Sequence, residues 1–299
     1  MGTEEAASAI KVDNTCWIFI SDSHEVRHTY DVIHAAWVLR ARGVNSTAIK
    51  FFTDDPQAAM YTSAFGCPDP LPIASLNAEF QNLDGFTNLF VVVTGHGNVD
   101  GIGCQTVKIA PDHLVSAVRT APGLKLVVIV LTQCFAGVFN FIDARKKPPI
   151  VMLGATNLSI SLSTQITLNN PVIGIGGALL SGWVANSFMF YLFRWIAAPR
   201  DIDGDGRISL LDAYKYAGAA AVSEIANIKP YIFMHAQKLT TEYKQLESDI
   251  ADGRKPDNPF NQLELKTKIS SLHNSVSSLH AGQESWLLHA DLARRTDIF

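Results

Sequence analysis

Short apolar runs alternate with amphipathic stretches through the first half of this 299-residue chain. Cys16 to Ser21, Thr47 to Thr53, Asn88 to Thr94, Leu124 to Thr132 and Val151 to Ala155 are β-branched or aromatic and nearly uninterrupted by charge. Continuous runs of that length suit strands buried on both faces. Between them, Thr29 to Arg42 carries Val32, Ile33, Ala36, Trp37 and Leu39 on one helical stripe and stops at Gly43, and Pro111 to Thr120 reads as a second helix. Residues 66–85 read as a loop with one short helix, and Asn140 to Pro149 as an exposed connection. Strands alternating with helices predict an α/β fold: a mostly parallel sheet with helices on both faces.

After Ser187 the pattern turns helical. Helices are expected over 188–198, from Leu210 to Ile228, and from Glu242 to Ile250. In the final segment Leu265, Ile269, Leu272, Val276 and Leu279 recur at steps of four and three, a coiled-coil seam. It is too short for a free-standing dimer, so it predicts docking on the chain's own body or on a regulatory protein partner. The expected organisation is an N-terminal extension (1–15), an α/β domain (16–235) and a helical C-terminal extension (236–299).

Composition narrows the class. The chain is 47% hydrophobic and 17% charged, enough for one large core. A net charge of −4 and no basic cluster argue against nucleic-acid binding. Cys16, Cys67, Cys104 and Cys134 are scattered, which suits free thiols in a reducing compartment. The acidic N-terminus lacks an apolar signal core, so a cytoplasmic protein is expected. Pro171 to Phe193 has no charged residue and the length to span a bilayer, but its glycines and Asn186 read as a buried loop followed by a core helix. No membrane association is expected.

The candidate chemistry sits where two runs end. Asn88-Leu-Phe-Val-Val-Val-Thr94 empties into Gly95-His96-Gly97, and the run ending at Thr132 empties into Gln133-Cys134-Phe-Ala-Gly137. Chemistry in open α/β sheets collects at such carboxyl ends. Either residue alone reads as a buried thiol or a loop histidine; together they are candidates for a nucleophile and its proton-transfer partner. Gly97 lets its N–H approach a substrate carbonyl, and the Cys134 N–H can supply a second donor for an oxyanion.

Thr94-Gly-His-Gly-Asn98, followed by strand-Gln133-Cys134-Phe-Ala-Gly137, resembles the clan CD cysteine peptidases: caspases, metacaspases and legumains. Ile20-Ser-Asp-Ser-His-Glu-Val-Arg-His, then Gly43-Val and Phe52-Thr-Asp-Asp55, resembles the legumain family in particular, which includes the GPI transamidase catalytic subunit. The resemblance covers roughly residues 15 to 200. It implies a caspase-like three-layer α/β/α sandwich, a His96/Cys134 dyad and Gly97 as oxyanion donor. Two positions depart from it. Glu25 stands where legumains have the asparagine that orients the histidine, and Thr132 where they have an S1 glutamate. Asparaginyl specificity is therefore not carried over.

Arg27 and Asp31 fall in the region that lines S1 in the clan. An arginine there suits a polar or acidic P1 side chain, an aspartate a basic one, so the pocket charge stays open. An ordinary i,i+4 ion pair is the structural alternative. Asp143, Arg145, Lys146 and Lys147 lie where caspases are cut between subunits, giving candidate sites of activating cleavage beside the reading as a solvated loop.

A further motif, Asp201-Ile-Asp203-Gly-Asp205-Gly206-Arg207-Ile208-Ser209-Leu-Leu-Asp212, has EF-hand-like spacing. Carboxylates at Asp201, Asp203 and Asp205, the Arg207 carbonyl and Asp212 would bind Ca2+; the short aspartate at the last position lowers affinity or tolerates Mg2+. An acidic helix cap is the alternative. The expected function is a cysteine endopeptidase acting on protein or peptide substrates. A transamidase using the same acyl-enzyme and a catalytically silent scaffold are the other classes.

Overall fold

The computed structural model describes residues 9–22, 24–103 and 108–299, so Cys104 lies outside the described residues. The chain divides into two compact units, Met1–Ala221 with Gln283–Phe299, and Val222–Gly282. In order, the first unit contains β1 (Thr15–Asp22), α1 (Val26–Ala41), β2 (Ile49–Thr53), α2 (Ala58–Ala64), α3 (Leu76–Phe80), β3 (Asn88–Gly95), β4 (Gly97–Asn98) and β5 (Gly101–Ile102). It continues with α4 (Pro111–Thr120), β6 (Leu126–Leu131), β7 (Ile150–Gly154), β8 (Ser163–Ile173), β9 (Leu179–Asn186) and α5 (Ser187–Ala197). Then come α6 (Leu210–Ala251), which runs on into the second unit, α7 (Pro259–His280) in that unit, and β10 (Trp286–Leu288) and α8 (Ala290–Arg295) back in the first.

The central sheet has the order β10-β7-β6-β3-β1-β2. All its neighbours pair in parallel except β10, which runs antiparallel to β7. Its layering follows from period-2 alternation. One row across the sheet, Ile18, Val91, Ile129 and Met152, joins the core under α3 and α4. The next row, Phe51, Phe19, Val92, Val130 and Leu153, joins the core under α1, α5 and the start of α6. Each such fully buried aliphatic or aromatic side chain stabilises the fold by about 1.5–3 kcal/mol. The result is a three-layer α/β/α unit. Strand order reverses between β1 and β3, which places a crevice at the carboxyl ends of those strands.

Three elements differ from the sequence reading. In Pro171 to Phe193 the expected core helix is present as the start of α5, but the part read as loop belongs to an antiparallel β8–β9 hairpin with the turn at Gly174 to Gly177. Thr164, Ile166, Trp183 and Ala185 alternate inward on that hairpin, a short period-2 signal masked by the glycines. The two helices expected on either side of residue 230 are one, because α6 runs through Pro230; Ala236, Leu239 and Leu246 are buried beyond it. Finally, the domain division falls after Ala221, and residues past Gly282 return to the first unit rather than extending the helices. Trp286-Leu-Leu288 supplies the last strand of the sheet, a run too short to read as one.

In the second unit, Lys268 on α7 pairs with Glu242 on α6 at 2.7 Å, and His235 bonds Ser275. Leu265, Ile269, Leu272 and Leu279 are half-buried, while Val276 is exposed. Among the described residues no helix is long and apolar enough to cross a membrane.

The β7–β10 junction depends on a small residue opposite a large one. Trp286 pairs with Gly154, where an added Cβ would meet the indole at 2.1 Å, and the Trp286 Nε1–H donates to the Thr156 carbonyl at 2.9 Å. Trp286→Ala should lower unfolding free energy by about 2–4 kcal/mol, read from urea denaturation. A midpoint equal to that of the parent would refute the structural role of this edge strand.

Candidate active site

The two predicted strand ends meet because β3 and β6 are parallel neighbours. Pairing continues one residue beyond: the Thr132 N–H and hydroxyl both donate to the Val93 carbonyl, at 3.0 and 2.7 Å. Beyond that point Gly97 presses on the neighbouring segment. A Cβ at Gly97 would lie 2.3 Å from Gln133 Cγ and 2.4 Å from the Cys134 carbonyl oxygen, so only glycine fits. The Gly103 N–H donates to the His96 carbonyl at 2.9 Å, and β4 and β5 pair, which fixes the loop that carries His96.

Cys134 is half-buried and followed by Phe135 in the left-handed region (φ 56°, ψ 28°). A non-glycine residue held there marks a backbone fixed by its surroundings. Here the Phe135 N–H donates to the Ser159 carbonyl at 2.7 Å and the Gly137 N–H to the Asn157 carbonyl at 3.1 Å. The Ser161 N–H donates to Cys134 Sγ at 3.3 Å. The loop that supplies these contacts is held from both ends. Gln283, itself buried, accepts from the Leu162 N–H at 2.8 Å and donates to the Ala155 carbonyl at 3.0 Å, while the Asn186 amide donates to the Thr132 carbonyl and the Ser161 hydroxyl. Ser161, Asn186 and Gln283 carry no motif, and only folding brings them to the cysteine.

His96 is oriented by a carboxylate. Its Nε2 lies 2.8 Å from Glu25 Oε1, while Glu25 Oε2 accepts from Arg27 Nε at 2.5 Å. The Arg27 hydrogen bond and charge, helped by the two neighbouring histidines and opposed by burial, set the Glu25 carboxyl below its ordinary value, so it is ionised at neutral pH. Nε2 therefore carries the imidazole proton and Nδ1 the lone pair, an assignment from the hydrogen-bond network. Glu25, which in the sequence reads only as a departure from the legumain pattern, is the residue that contacts the histidine. Among the described residues no hydrogen bond joins His96 to Cys134.

The S1 candidates separate. Arg27 keeps solvent-facing surface and donates to the Ser163 hydroxyl at 2.8 Å. Asp31 is 2% exposed and accepts from Trp183 Nε1 (2.8 Å), the Asn186 N–H (3.3 Å) and the Thr94 hydroxyl (3.5 Å). The i,i+4 ion pair is not formed, because each partner is engaged elsewhere. Thr132 is fully buried, its hydroxyl spent on Val93, so it belongs to the sheet rather than to an open pocket wall.

Behind His96 lies His28, 3% exposed, with its ring edge-on at a centroid distance of 5.6 Å and Nδ1 3.1 Å from the Thr94 hydroxyl. Burial, then the Arg27 charge, push its pKa down to about 3, whereas burial pushes Asp31 up to about 7. The 3.9 Å His28–Asp31 contact is thus between a neutral imidazole and a carboxyl that titrates near neutrality.

The acidic loop is gathered in part. Carboxylate oxygens of Asp201, Asp203 and Asp205 lie within 4.8 Å of one another, and the Gly204 and Gly206 N–H groups donate to Asp201 at 2.6 and 2.9 Å. Asp212 stands apart. Its carboxylate is buried and accepts from the N–H groups of Ile202, Asp203 and Ser209 and from the Ser209 hydroxyl, which in turn lies 3.4 Å from the Asp212 N–H. That is a reciprocal cap at the start of α6, in place of the expected ligand. The Arg207 guanidinium turns to Asp297 and the Arg295 carbonyl. Lys215 pairs with Asp203 at 2.8 Å. Asp143, Arg145, Lys146 and Lys147 are exposed, as expected, although Arg119 donates to the Asp143 carbonyl.

Asp31 gives a test of the buried network. Its folded-state pKa exceeds the ordinary 3.8, so the native chain holds this proton more tightly than the unfolded chain does. That stabilisation is fully present below about pH 4 and is lost as pH rises through about 7. His28 acts oppositely, its depressed value favouring the fold above about pH 6.5. Stability of the parent relative to Asp31→Asn should therefore fall between pH 4.5 and 7.5 in urea titrations; a constant difference would overturn the assignment.

No protein-family profile matches the chain, and no curated protein matches it. Among solved structures it is similar to the crystal structure of drICE, at a TM-score of 0.37 and 13% identity over 69% of this chain and 81% of that one.

Proposed function

We propose that this protein is a cysteine peptidase. The observation that carries the reading is the close approach of His96-Gly97 to Gln133-Cys134, with Glu25 holding the histidine. Cys134 Sγ attacks the peptide carbonyl carbon and its proton passes to His96. The oxyanion that forms accepts from the N–H groups of Gly97 and Cys134. His96 then protonates the leaving amine, giving a thioester; water, deprotonated by His96, releases the acid and restores the thiol. Glu25 keeps the His96 proton on Nε2 and supports its charged form. An amine in place of water would make the same thioester a transamidase intermediate.

Of the three S1 candidates, Arg27 is the one with an accessible charge, so the pocket selects an acidic or polar P1 residue. Asp201, Asp203 and Asp205, with the Arg207 carbonyl, hold Ca2+ or, less tightly, Mg2+, and Asp212 contributes through the helix start it caps. Cleavage in the exposed 143–147 connection activates the enzyme. Tyr231, Met234, Phe260 and Leu263, exposed on the helical unit, offer a regulatory partner an apolar surface. The protein works in the cytoplasm. A scaffold with no turnover is the second reading, favoured by the unjoined Cys134 and His96.

Fluorogenic peptides with Asp, Asn, Arg or Lys at P1, assayed with Ca2+ or a chelator, should show turnover preferring Asp or Asn. Cys134→Ala should reduce it to background, and Glu25→Gln should lower kcat about 10- to 100-fold with little change in KM. Absence of turnover on every substrate would favour the scaffold.

A further inference from the structure

A metal site overlaps the histidine of the proposed dyad. One ring nitrogen from each of His28 and His96 and one carboxylate oxygen of Glu25 lie within 4.8 Å of one another. His28 Nε2 is buried without a hydrogen-bond partner, in a side chain only 3% exposed. Buried polar atoms are rarely left so, and such an atom calls for an ion, a water or a role in function.

The network around His28 prepares that nitrogen as a ligand. The Thr94 hydroxyl donates toward Asp31, which leaves its oxygen to accept from His28 Nδ1. Nδ1 then carries the proton and Nε2 the lone pair. A ligating histidine anchored through its other ring nitrogen is the usual arrangement at metal centres. Two imidazoles and one carboxylate form a donor set suited to Zn2+, with ligand bonds of about 2.0–2.2 Å and a fourth position open. Closing the cluster onto an ion opens the 2.8 Å contact between His96 Nε2 and Glu25 and moves the ring proton of His96 to Nδ1, which leaves Nε2 its lone pair; Glu25 is exposed and His96 half-exposed, so both side chains have room to turn. Arg27, on the second oxygen of Glu25, opposes a cation and limits affinity without occupying the coordinating oxygen.

We propose that Glu25, His28 and His96 bind Zn2+ and that the ion, by taking His96, holds the centre inactive. The inhibitory effect rests on the peptidase reading; the binding does not.

The test uses the full chain with Ca2+ in excess, so that the 201–212 loop is not the Zn2+ acceptor. ZnCl2 is titrated in competition with a chromophoric chelator. One Zn2+ per chain is expected, with Kd raised about 10- to 100-fold in Glu25→Gln and in His28→Gln, and unchanged in Asp203→Asn/Asp205→Asn. Glu25 is exposed, so its variant keeps the measurement valid if the buried His28 substitution impairs folding. Absence of Zn2+ binding would overturn the proposal, as would binding undiminished in Glu25→Gln. Loss only in Cys134→Ala would place the ion on the cysteine instead, and loss only in the double aspartate variant would place it on the acidic loop. Because binding is read without turnover, a protein that is inactive in the absence of Zn2+ yet binds Zn2+ at these residues would refute the peptidase and leave the site standing.

Discussion

Helices cover both faces of the central sheet, and this constraint shapes everything else in the first unit. With rows such as Ile18-Val91-Ile129-Met152 packed on one side and Phe19-Val92-Val130-Leu153 on the other, the middles of β1, β3, β6 and β7 hold only apolar side chains. Polar groups are driven to the strand ends, where backbone donors and acceptors are no longer consumed by pairing. Glu25, His96 and Cys134 follow three such ends, and adjacency of β1, β3 and β6 in the sheet brings them to a common edge.

What surrounds that edge is a polar network deeper than a solvent-exposed site would need. Asp31 is held by Trp183, Asn186 and Thr94, and Thr94 in turn holds His28. Burial acts in opposite directions on the two ionisable groups, raising the acid and lowering the base, so that the pair tends to neutrality without exchanging a proton. The cost of burying them is offset by satisfied donors and acceptors at Asp31, while His28 retains its unpartnered Nε2.

The strands β1, β3, β6 and β7 were legible because runs buried on both faces admit only apolar residues, and Pro111 to Thr120 because proline opens a helix and the apolar stripe is regular. The β8–β9 hairpin is not legible in the sequence because Gly174, Gly176 and Gly177 interrupt a pattern whose outward half is itself apolar, with Ile173, Leu179 and Val184 exposed. Continuity of α6 was hidden by Pro230, whose local penalty is overridden once neighbouring turns are in place. At the site, His96, Gly97 and Cys134 could be found from strand ends. Glu25 could be seen only as a mismatch, since its meaning lies in a 2.8 Å contact across 71 residues of chain. The spacing of Asp212 fits both a ligand and a cap, and only its hydrogen bonds to Ser209 distinguish them.

The return of the chain after Gly282 bears on when the site comes into being. Gln283 clamps the loop whose Ser161 N–H meets the cysteine sulfur, and Trp286 seals the strand from which that loop departs. Synthesis proceeds from the N-terminus, so the helical segment 222–282 is made between Cys134 and the last residues that support its surroundings. The ribosome therefore delivers Cys134 well before the residues that hold its surroundings, and the centre matures as a late event. Placing the clamp past a long helical excursion leaves the surroundings of Cys134 incomplete until the final residues of the chain have been made.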